Sequence, residues 1–362
     1  MSTQLQDYAY SFPPELIAMA PADQRDESRL LVVNREKQSL QHQTFKNILD
    51  YFVAGDVLVL NNSKVFPCRL LTERATGGKQ EIFLLRQVDA TANTTHLKLG
   101  VAPKDKHFSN SEIWEVMLGP NSKVKAGDVF SFAGLRVIII NDPEQTRLAQ
   151  LEFNGDLFTL LQNIAHVPLP SYIKRPDTDQ DTQRYQTVFA KTQGSVAAPT
   201  AGLHFTPEIL EALQKNGVEI LPVTLHVGLG TFLPVKTADI TQHKMHTEFY
   251  SVEPEVWQKI LQAKTDKRRI TAVGTTSVRV LESLASITPP LTAGLQQTNI
   301  FIRPPYEFQI VNRMITNFHQ SESTLLMLVS AFAGREFILS AYAEAIKQRY
   351  RLFSYGDAML IE

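Results

Sequence analysis

Residues 270–287 read ITAVGTTSVRVLESLASI, and the reading of this stretch decides the fold class. Ile270 to Val273 is a short run without polar alternation, as expected of a strand buried on both faces. Gly274 interrupts it, three hydroxyl residues follow (Thr275, Thr276 and Ser277), and Ser277 to Ile287 reads as a helix. A strand that turns through glycine into a helix is a unit of α/β architecture. The same geometry aims backbone N–H groups and hydroxyls at a ligand, favouring a phosphate or carboxylate. An ordinary N-cap by Thr276 or Ser277, worth about 1 kcal/mol, is the plainer reading.

Outward from this stretch, helices and strands alternate. Pro207 to Asn216 places Ile209, Leu210 and Leu213 on one helical face and stops at Gly217, and Val218 to Val227 follows as a strand. Pro254 to Lys264 carries the stripe Val256, Trp257, Ile260 and Leu261. Asn299 to Ile302 reads as a strand, Thr324 to Ala333 as a nearly all-apolar buried helix, and Glu336 to Tyr350 as another. Residues 1–64 carry strand signals at Leu30 to Asn34 and Val57 to Leu60.

The texture differs between about 65 and 154. Val65 to Leu71, Gln80 to Val88, Thr95 to Ala102, Ile113 to Leu118, Val129 to Asn141 and Leu148 to Phe153 read as strands, punctuated by turn residues such as Gly77-Gly78 and Gly127-Asp128. Six short strands without a helical period suggest a small β-barrel or sandwich. Pro168 to Gly202 is long, polar and weakly periodic, which suggests a lid or binding loop.

A chain of 362 residues points to two domains, and 43% hydrophobic with 20% charged residues is ordinary globular composition. The longest apolar run, Leu325 to Ala333, is far short of the roughly 20 residues of a membrane span. The start MSTQLQDYAYSF lacks the n- and h-regions of a secretory signal, and Cys68 is the single cysteine. A cytoplasmic protein without a membrane partner or disulfide framework is expected. The net charge of −1 disfavours a nucleic-acid partner on charge alone. The densest basic cluster, Lys264, Lys267, Arg268 and Arg269, reads as a solvated helix end.

Six of the nine histidines (His166, His204, His226, His243, His246 and His319) lie between residues 166 and 319. Any one of them is most simply a hydrogen-bonded structural group, but the clustering favours chemistry for the set. HKMHTE spaces His243 and His246 three apart with Glu248 beyond; no third ligand is evident, so acid–base work is expected rather than a metal. LHVGLGTF places Gly228 and Gly230 after a strand, flanked by His226 and Thr231. It lacks the third glycine and the helix of a dinucleotide fingerprint.

Taken together and in order, GDVLVLNNSKVFPCRL, HVPLPSYIKR, YQTVFA, AAPTAGLHF, TLHVGLGTFLPV, HKMHTE, AVGTTSVRVLES, TNFH…STLLMLVSAFAG and YRLFSYGDAMLI closely resemble the S-adenosylmethionine:tRNA ribosyltransferase-isomerase family of queuosine biosynthesis. The likeness covers nearly the whole chain. It departs from the family's usual PGY at Pro304-Pro305-Tyr306, from LP at Gln320-Ser321, and from a Tyr-Pro pair in APADQRDE before Ser28.

The resemblance implies a mixed α/β fold: a large α/β domain of residues 1–64 and 155–362, with a small antiparallel β-barrel of residues 65–154 inserted. It implies two substrates, S-adenosylmethionine and tRNA bearing 7-aminomethyl-7-deazaguanine at the anticodon wobble position. The products would be epoxyqueuosine-tRNA, adenine and methionine. S-adenosylmethionine is then a consumed substrate and no cofactor is expected. A monomer is expected, although nothing in the sequence derives it.

That chemistry asks for a base at the acidified C5′–H, for which His226, His246 and Glu248 are candidates. It asks for donors to developing oxygen charge and to the departing adenine, a role suited to Thr275, Thr276, Ser277, Arg279 and His319. Glu282 or Asp357 could face the sulfonium or the methionine ammonium. Thr200, Gly202, His204, Gly228, Gly230, Thr231 and Asn317 complete the expected substrate-binding set. The target base lies in a single-stranded loop, so Tyr172, Tyr185 and Phe205 are candidate stacking platforms. A methyltransferase would need an early glycine-rich strand–helix loop, which is missing; an RNA-binding module would need a basic stripe.

Overall fold

Val57–Asn61 is buried at every position, as its unbroken VLVL run requires of a strand covered on both faces. In the computed structural model, which describes residues 3–73, 77–88, 104–119, 123–140, 147–228, 235–285 and 294–362, this strand lies near the middle of a nine-stranded sheet. The order across the sheet is Gln296–Thr298, Glu248–Ser251, Glu219–His226, Val57–Asn61, Ile270–Val273, Arg313–Asn317, Ala358–Ile361, Arg29–Asn34 and Ser39–Thr44. Glu219–His226, Val57–Asn61, Ile270–Val273 and Arg313–Asn317 run parallel to one another. Their neighbours Glu248–Ser251 and Ala358–Ile361 run antiparallel to them. One edge of the sheet therefore gathers four strand carboxyl ends with the amino ends of two others, the place where open α/β sheets bind ligands.

Alternation along the strands feeds two cores. Val57, Val59, Val223, Ala272 and Met314 pack with the helices Pro254–Thr265, Gly274–Leu284, Thr324–Ala333 and Arg335–Lys347. Leu58, Leu60, Val273 and Ile315 pack on the other side with Phe45, Ile48 and the helix Pro207–Lys215. Gly274, at φ +82°, makes the turn from strand to helix and is itself the first helical residue. The helix thus starts three residues before the expected Ser277. Neither Thr276 nor Ser277 is its N-cap: no side chain caps this end, and Ser277 Oγ instead donates to the Val273 carbonyl at 2.7 Å.

The strand expected at Asn299 to Ile302 forms instead at Gln296–Thr298, on the sheet's edge, and the central strand Arg313–Asn317 carries no signal in the sequence. Its sequence RMITN begins with a charge, yet Arg313 is buried, its guanidinium 4.8 Å from the Phe52 ring centroid. Arg268 and Arg269 are not merely a solvated helix end. Arg269 grips Asp56 with two hydrogen bonds of 2.9 and 2.6 Å, and Arg268 donates to Glu219 at 2.9 Å.

Six antiparallel strands form the second sheet, a nearly closed barrel, in the order Arg69–Glu73, Lys79–Val88, Asn110–Leu118, Leu148–Phe153, Leu135–Ile140 and Val129–Phe132. The run Val129 to Asn141 is a hairpin rather than one strand, turning at Gly134 with φ +81°. Thr95 to Ala102 lies outside the described residues. Cys68, Leu70, Ile82, Leu84, Val137 and Leu151 fill the interior, joined by Leu157 and Leu161 from a helix, Leu157–Ile164, that the sequence reading did not anticipate. In the chain the barrel falls between Val57–Asn61 and Glu219–His226, which are neighbours in the large sheet. Where the chain enters and leaves the barrel, Arg69 and His166 exchange backbone hydrogen bonds of 3.3 and 2.9 Å.

Pro168 to Gly202 is packed rather than lid-like. It contains the short helix Asp179–Arg184 and the strand Thr192–Ser195. Asp181 anchors it, accepting from Arg175 at 2.7 and 2.8 Å and from the Tyr355 hydroxyl at 2.7 Å. Burial alone would raise the Asp181 pKa, but the Arg175, Tyr355 and Thr178 donors hold it well below the usual carboxylate range. Tyr185 and Phe205 are fully buried against Tyr355 and Phe45, so neither can serve as a stacking platform. No single helix among the described residues is long and apolar enough to cross a membrane.

Candidate active site

Two cavities meet the carboxyl edge of the parallel strands, and Val227 lines both. The smaller, about 160 Å³, lies between the start of the helix Gly274–Leu284 and the end of the strand Arg313–Asn317. Thr200, Thr275, Thr276, Asn317 and His319 line it, with Tyr172 and Phe353 as aromatic walls. The larger, about 890 Å³, is walled on one side by His226, Gly228, His246, Glu248 and Arg279. Its other wall belongs to the barrel and includes Arg86, Trp114, Glu115 and Arg147.

In the larger cavity, Glu248 and Arg279 form a buried ion pair, and Glu248 also accepts the Gly228 N–H at 3.4 Å. Arg279 comes from the second turn of the buried helix Gly274–Leu284, and its Nε and Nη2 have no partner among the described residues. Burial lowers its pKa to about 10, which still leaves it charged at neutral pH. His226, the last residue of its strand, sits against Gly194, where a Cβ would lie 3.1 Å from Nδ1. That Nδ1 is buried without a partner, and burial lowers the His226 pKa, so the ring is neutral near pH 7. His246 lies exposed on the rim three residues from His243, and no group of three or more metal-ligating side chains forms among the described residues.

In the smaller cavity, His319 Nε2 pairs with Thr316 Oγ1 at 2.8 Å, and burial pushes the His319 pKa down to about 3. Thr276 Oγ1 and Asn317 Oδ1 are buried and lack partners among the described residues. Such atoms cost about 1–3 kcal/mol each unless something fills their hydrogen bonds.

Other expected site residues stand elsewhere. Glu282 accepts the Tyr306 hydroxyl at 3.1 Å and the backbone N–H groups of Gln309, Ile310 and Val311 at 2.8 to 3.0 Å, clamping a loop. Asp357 accepts the Arg29 and Arg351 N–H groups at 3.0 and 2.8 Å, in surroundings whose burial raises its pKa. Neither carboxylate lines either of these two cavities, so neither would reach a sulfonium or an ammonium held in them. Gly202 packs against Phe189 and Thr187, where a Cβ would come within 2.7 and 2.9 Å. His204 is buried under Phe45 with Asn317 as partner, and Ser277 is spent on Val273. Gly230 and Thr231 lie outside the described residues.

The barrel wall escaped the sequence reading, since Arg86 and Trp114 sit in strands, and Arg147 just before one, with no distinctive motif. Thr316 and Ser354 also line the smaller cavity and lie inside quoted motifs, TNFH and LFSYGD, which was the available signal.

A mixed sheet covered on both faces, with a polar, two-chambered site at the carboxyl edge of its parallel strands, is the architecture of an enzyme. The chain belongs to the family described as queuosine biosynthesis protein, whose model matches residues 5–361. It is 44% identical over 362 residues to the S-adenosylmethionine:tRNA ribosyltransferase-isomerase of Desulforamulus reducens, covering 99% of each chain. The enzyme of the same name from Sulfurihydrogenibium sp. is 46% identical over 365 residues, again with 99% of each covered. The crystal structure of S-adenosylmethionine tRNA ribosyltransferase from Thermotoga maritima superposes with a TM-score of 0.54 at 35% identity, covering 98% of this chain and 100% of that one.

Proposed function

We propose that this chain is an S-adenosylmethionine:tRNA ribosyltransferase-isomerase, which moves the ribosyl part of S-adenosylmethionine onto 7-aminomethyl-7-deazaguanine at the tRNA wobble position. Epoxyqueuosine-tRNA, adenine and methionine are the products, and the reaction is cytoplasmic. The activity and its two substrates are supported by the names of relatives that match along nearly their full length. The observation that carries the chemistry is the juxtaposition, in one cavity, of a neutral, half-buried histidine with the Glu248–Arg279 pair.

In this reading His226 removes the C5′ proton next to the sulfonium, giving an ylide. Adenine leaves as the ribose ring opens, and its departure is eased by hydrogen bonds from the first turn of the helix Gly274–Leu284 and from His319. Cleavage of the C4′–O4′ bond turns the ylide into a C4′=C5′ vinyl sulfonium, and C1′ becomes an aldehyde as the O4′ electrons expel adenine. The acceptor's aminomethyl nitrogen then adds to C4′ and loses a proton, regenerating the ylide at C5′. The C5′ ylide attacks the aldehyde carbon. The alkoxide so formed displaces methionine from C5′, which leaves with the C–S electron pair, to close the epoxide. The unpartnered Nε and Nη2 donors of Arg279 stabilise oxygen charge that develops on the opened ribosyl chain, while Glu248 holds the guanidinium in place. A carboxylate partner from Glu282 or Asp357 is not part of this scheme.

The test is incubation of the protein with S-adenosylmethionine and an anticodon stem-loop bearing the modified base, with free adenine measured by chromatography. Adenine that appears only with the modified base is expected. S-adenosylhomocysteine in its place would mean methyl transfer, and stem-loop retention without either product would mean an RNA-binding module.

A further inference from the structure

Asn317 ends its strand at the smaller cavity, and its amide orientation follows from its neighbours. Nδ2 lies 3.2 Å from the Phe353 carbonyl oxygen, 3.4 Å from that of Asp357 and 3.1 Å from His204 Nε2. Reversing the amide would set Oδ1 against two carbonyl oxygens, so the network assigns the nitrogen to that side. His204 reinforces the assignment. Its pKa is pushed down to about 3 by burial, and its ring is also hydrogen-bonded to the backbone of Arg25, which leaves Nε2 as the acceptor of a neutral imidazole. Both amide protons of Asn317 are committed, while Oδ1 is buried without a donor among the described residues.

Across the cavity stands the uncapped start of the helix Gly274–Leu284. Its free N–H groups and positive dipole end favour acceptors and oppose a cation, so a methionine ammonium is a poor occupant. At about 160 Å³ the cavity is below the ~300–1,000 Å³ of pockets that enclose a drug-sized ligand, and Tyr172 and Phe353 give it apolar walls. A neutral planar ring fits, with an amine donor for Asn317 Oδ1 and ring-nitrogen acceptors for the helix N–H groups.

Building on the proposed function, we infer that this cavity holds the adenine ring of S-adenosylmethionine and that Asn317 Oδ1 reads its 6-amino group, with His204 as a positioning residue. The larger cavity is then left to the acceptor nucleotide. A site built for a donor rejects an analogue that lacks it, because its own buried acceptor stays unpaired.

Calorimetry would compare S-adenosylmethionine with its 6-oxo counterpart on the unaltered protein, then on Asn317→Ala. The amino form should bind at least about tenfold more tightly, and free adenine should compete where hypoxanthine and methionine do not. Asn317→Ala should bring the two forms within about threefold of each other. Equal binding to the unaltered protein overturns the inference even if Asn317→Ala fails to fold. A folded Asn317→Ala that still discriminates also overturns it, as does competition by methionine alone. Adenine release from the modified stem-loop is scored separately, so loss of the adenine subsite and loss of the ribosyl-transfer reading give different results.

Discussion

At the scale of single residues, the cavities separate chemistry from scaffolding. His226→Gln should cut adenine release by about 10²–10⁴-fold while leaving the unfolding midpoint nearly unchanged. Because burial lowers the His226 pKa, the base is neutral above its titration, and the acid limb of kcat/KM should lie below pH 6.5. A His226→Gln enzyme that keeps both rate and limb would move the base to His246. Glu282→Ala should behave in the opposite way. It strands three backbone N–H groups and a tyrosine hydroxyl, so urea unfolding should register a loss of about 3 kcal/mol or more. Wild-type stability in that variant would refute the clamp. Both Glu282 and His226 stand in motifs rich in polar residues, and no property of the sequence separates them. What separates them is whether backbone donors converge on the side chain, and that depends on loops brought from elsewhere in the chain.

At the scale of elements, the glycine turn before the helix Gly274–Leu284 was legible because an all-buried tetrapeptide, a glycine and hydroxyls stand side by side. The absence of a cap was not legible, since Thr276 and Ser277 are good capping residues whose hydroxyls turn out to be directed elsewhere. Gly274→Ala would place a Cβ at φ +82°, 3.3 Å from Thr276 Oγ1. It should cost roughly 1–2 kcal/mol in thermal unfolding and raise KM for S-adenosylmethionine more than it lowers kcat. An unchanged KM would detach this turn from the donor site. The strand Arg313–Asn317 was missed for a related reason. Five residues that begin with arginine carry no strand pattern until Asp56 and Phe52 supply the company that lets the arginine be buried.

At the scale of the whole molecule, buried neutral histidines couple the fold to pH. His204 and His319 titrate near 6.5 when unfolded but only at about 3 when folded, both because burial disfavours the imidazolium. Below pH 6.5 the unfolded chain therefore binds protons that the folded chain refuses, and stability falls with falling pH. Urea titrations at pH 7 and pH 5 should differ by roughly 2–4 kcal/mol from these two groups together. A flat profile over that window would refute their burial as neutral rings. The two-sheet architecture itself was legible, because six closely spaced strands without a helix contrast with the alternation on either side. The cavity between the sheets was not, since its barrel wall is made of ordinary strand residues.

The insertion of the barrel also bears on how the protein is made. Val57–Asn61 leaves the ribosome long before its partner Glu219–His226, and a loose connection of that length would have to be closed against chain entropy. The barrel's own pairings all lie within residues 69–153, so it can form while the remainder is still being synthesised. Once formed, it joins its two ends at Arg69 and His166 and works as a short rigid splint. Nascent chains with a weakened barrel interior, such as Leu151→Ala, should accumulate as protease-sensitive species in which the parent sheet has failed to zip.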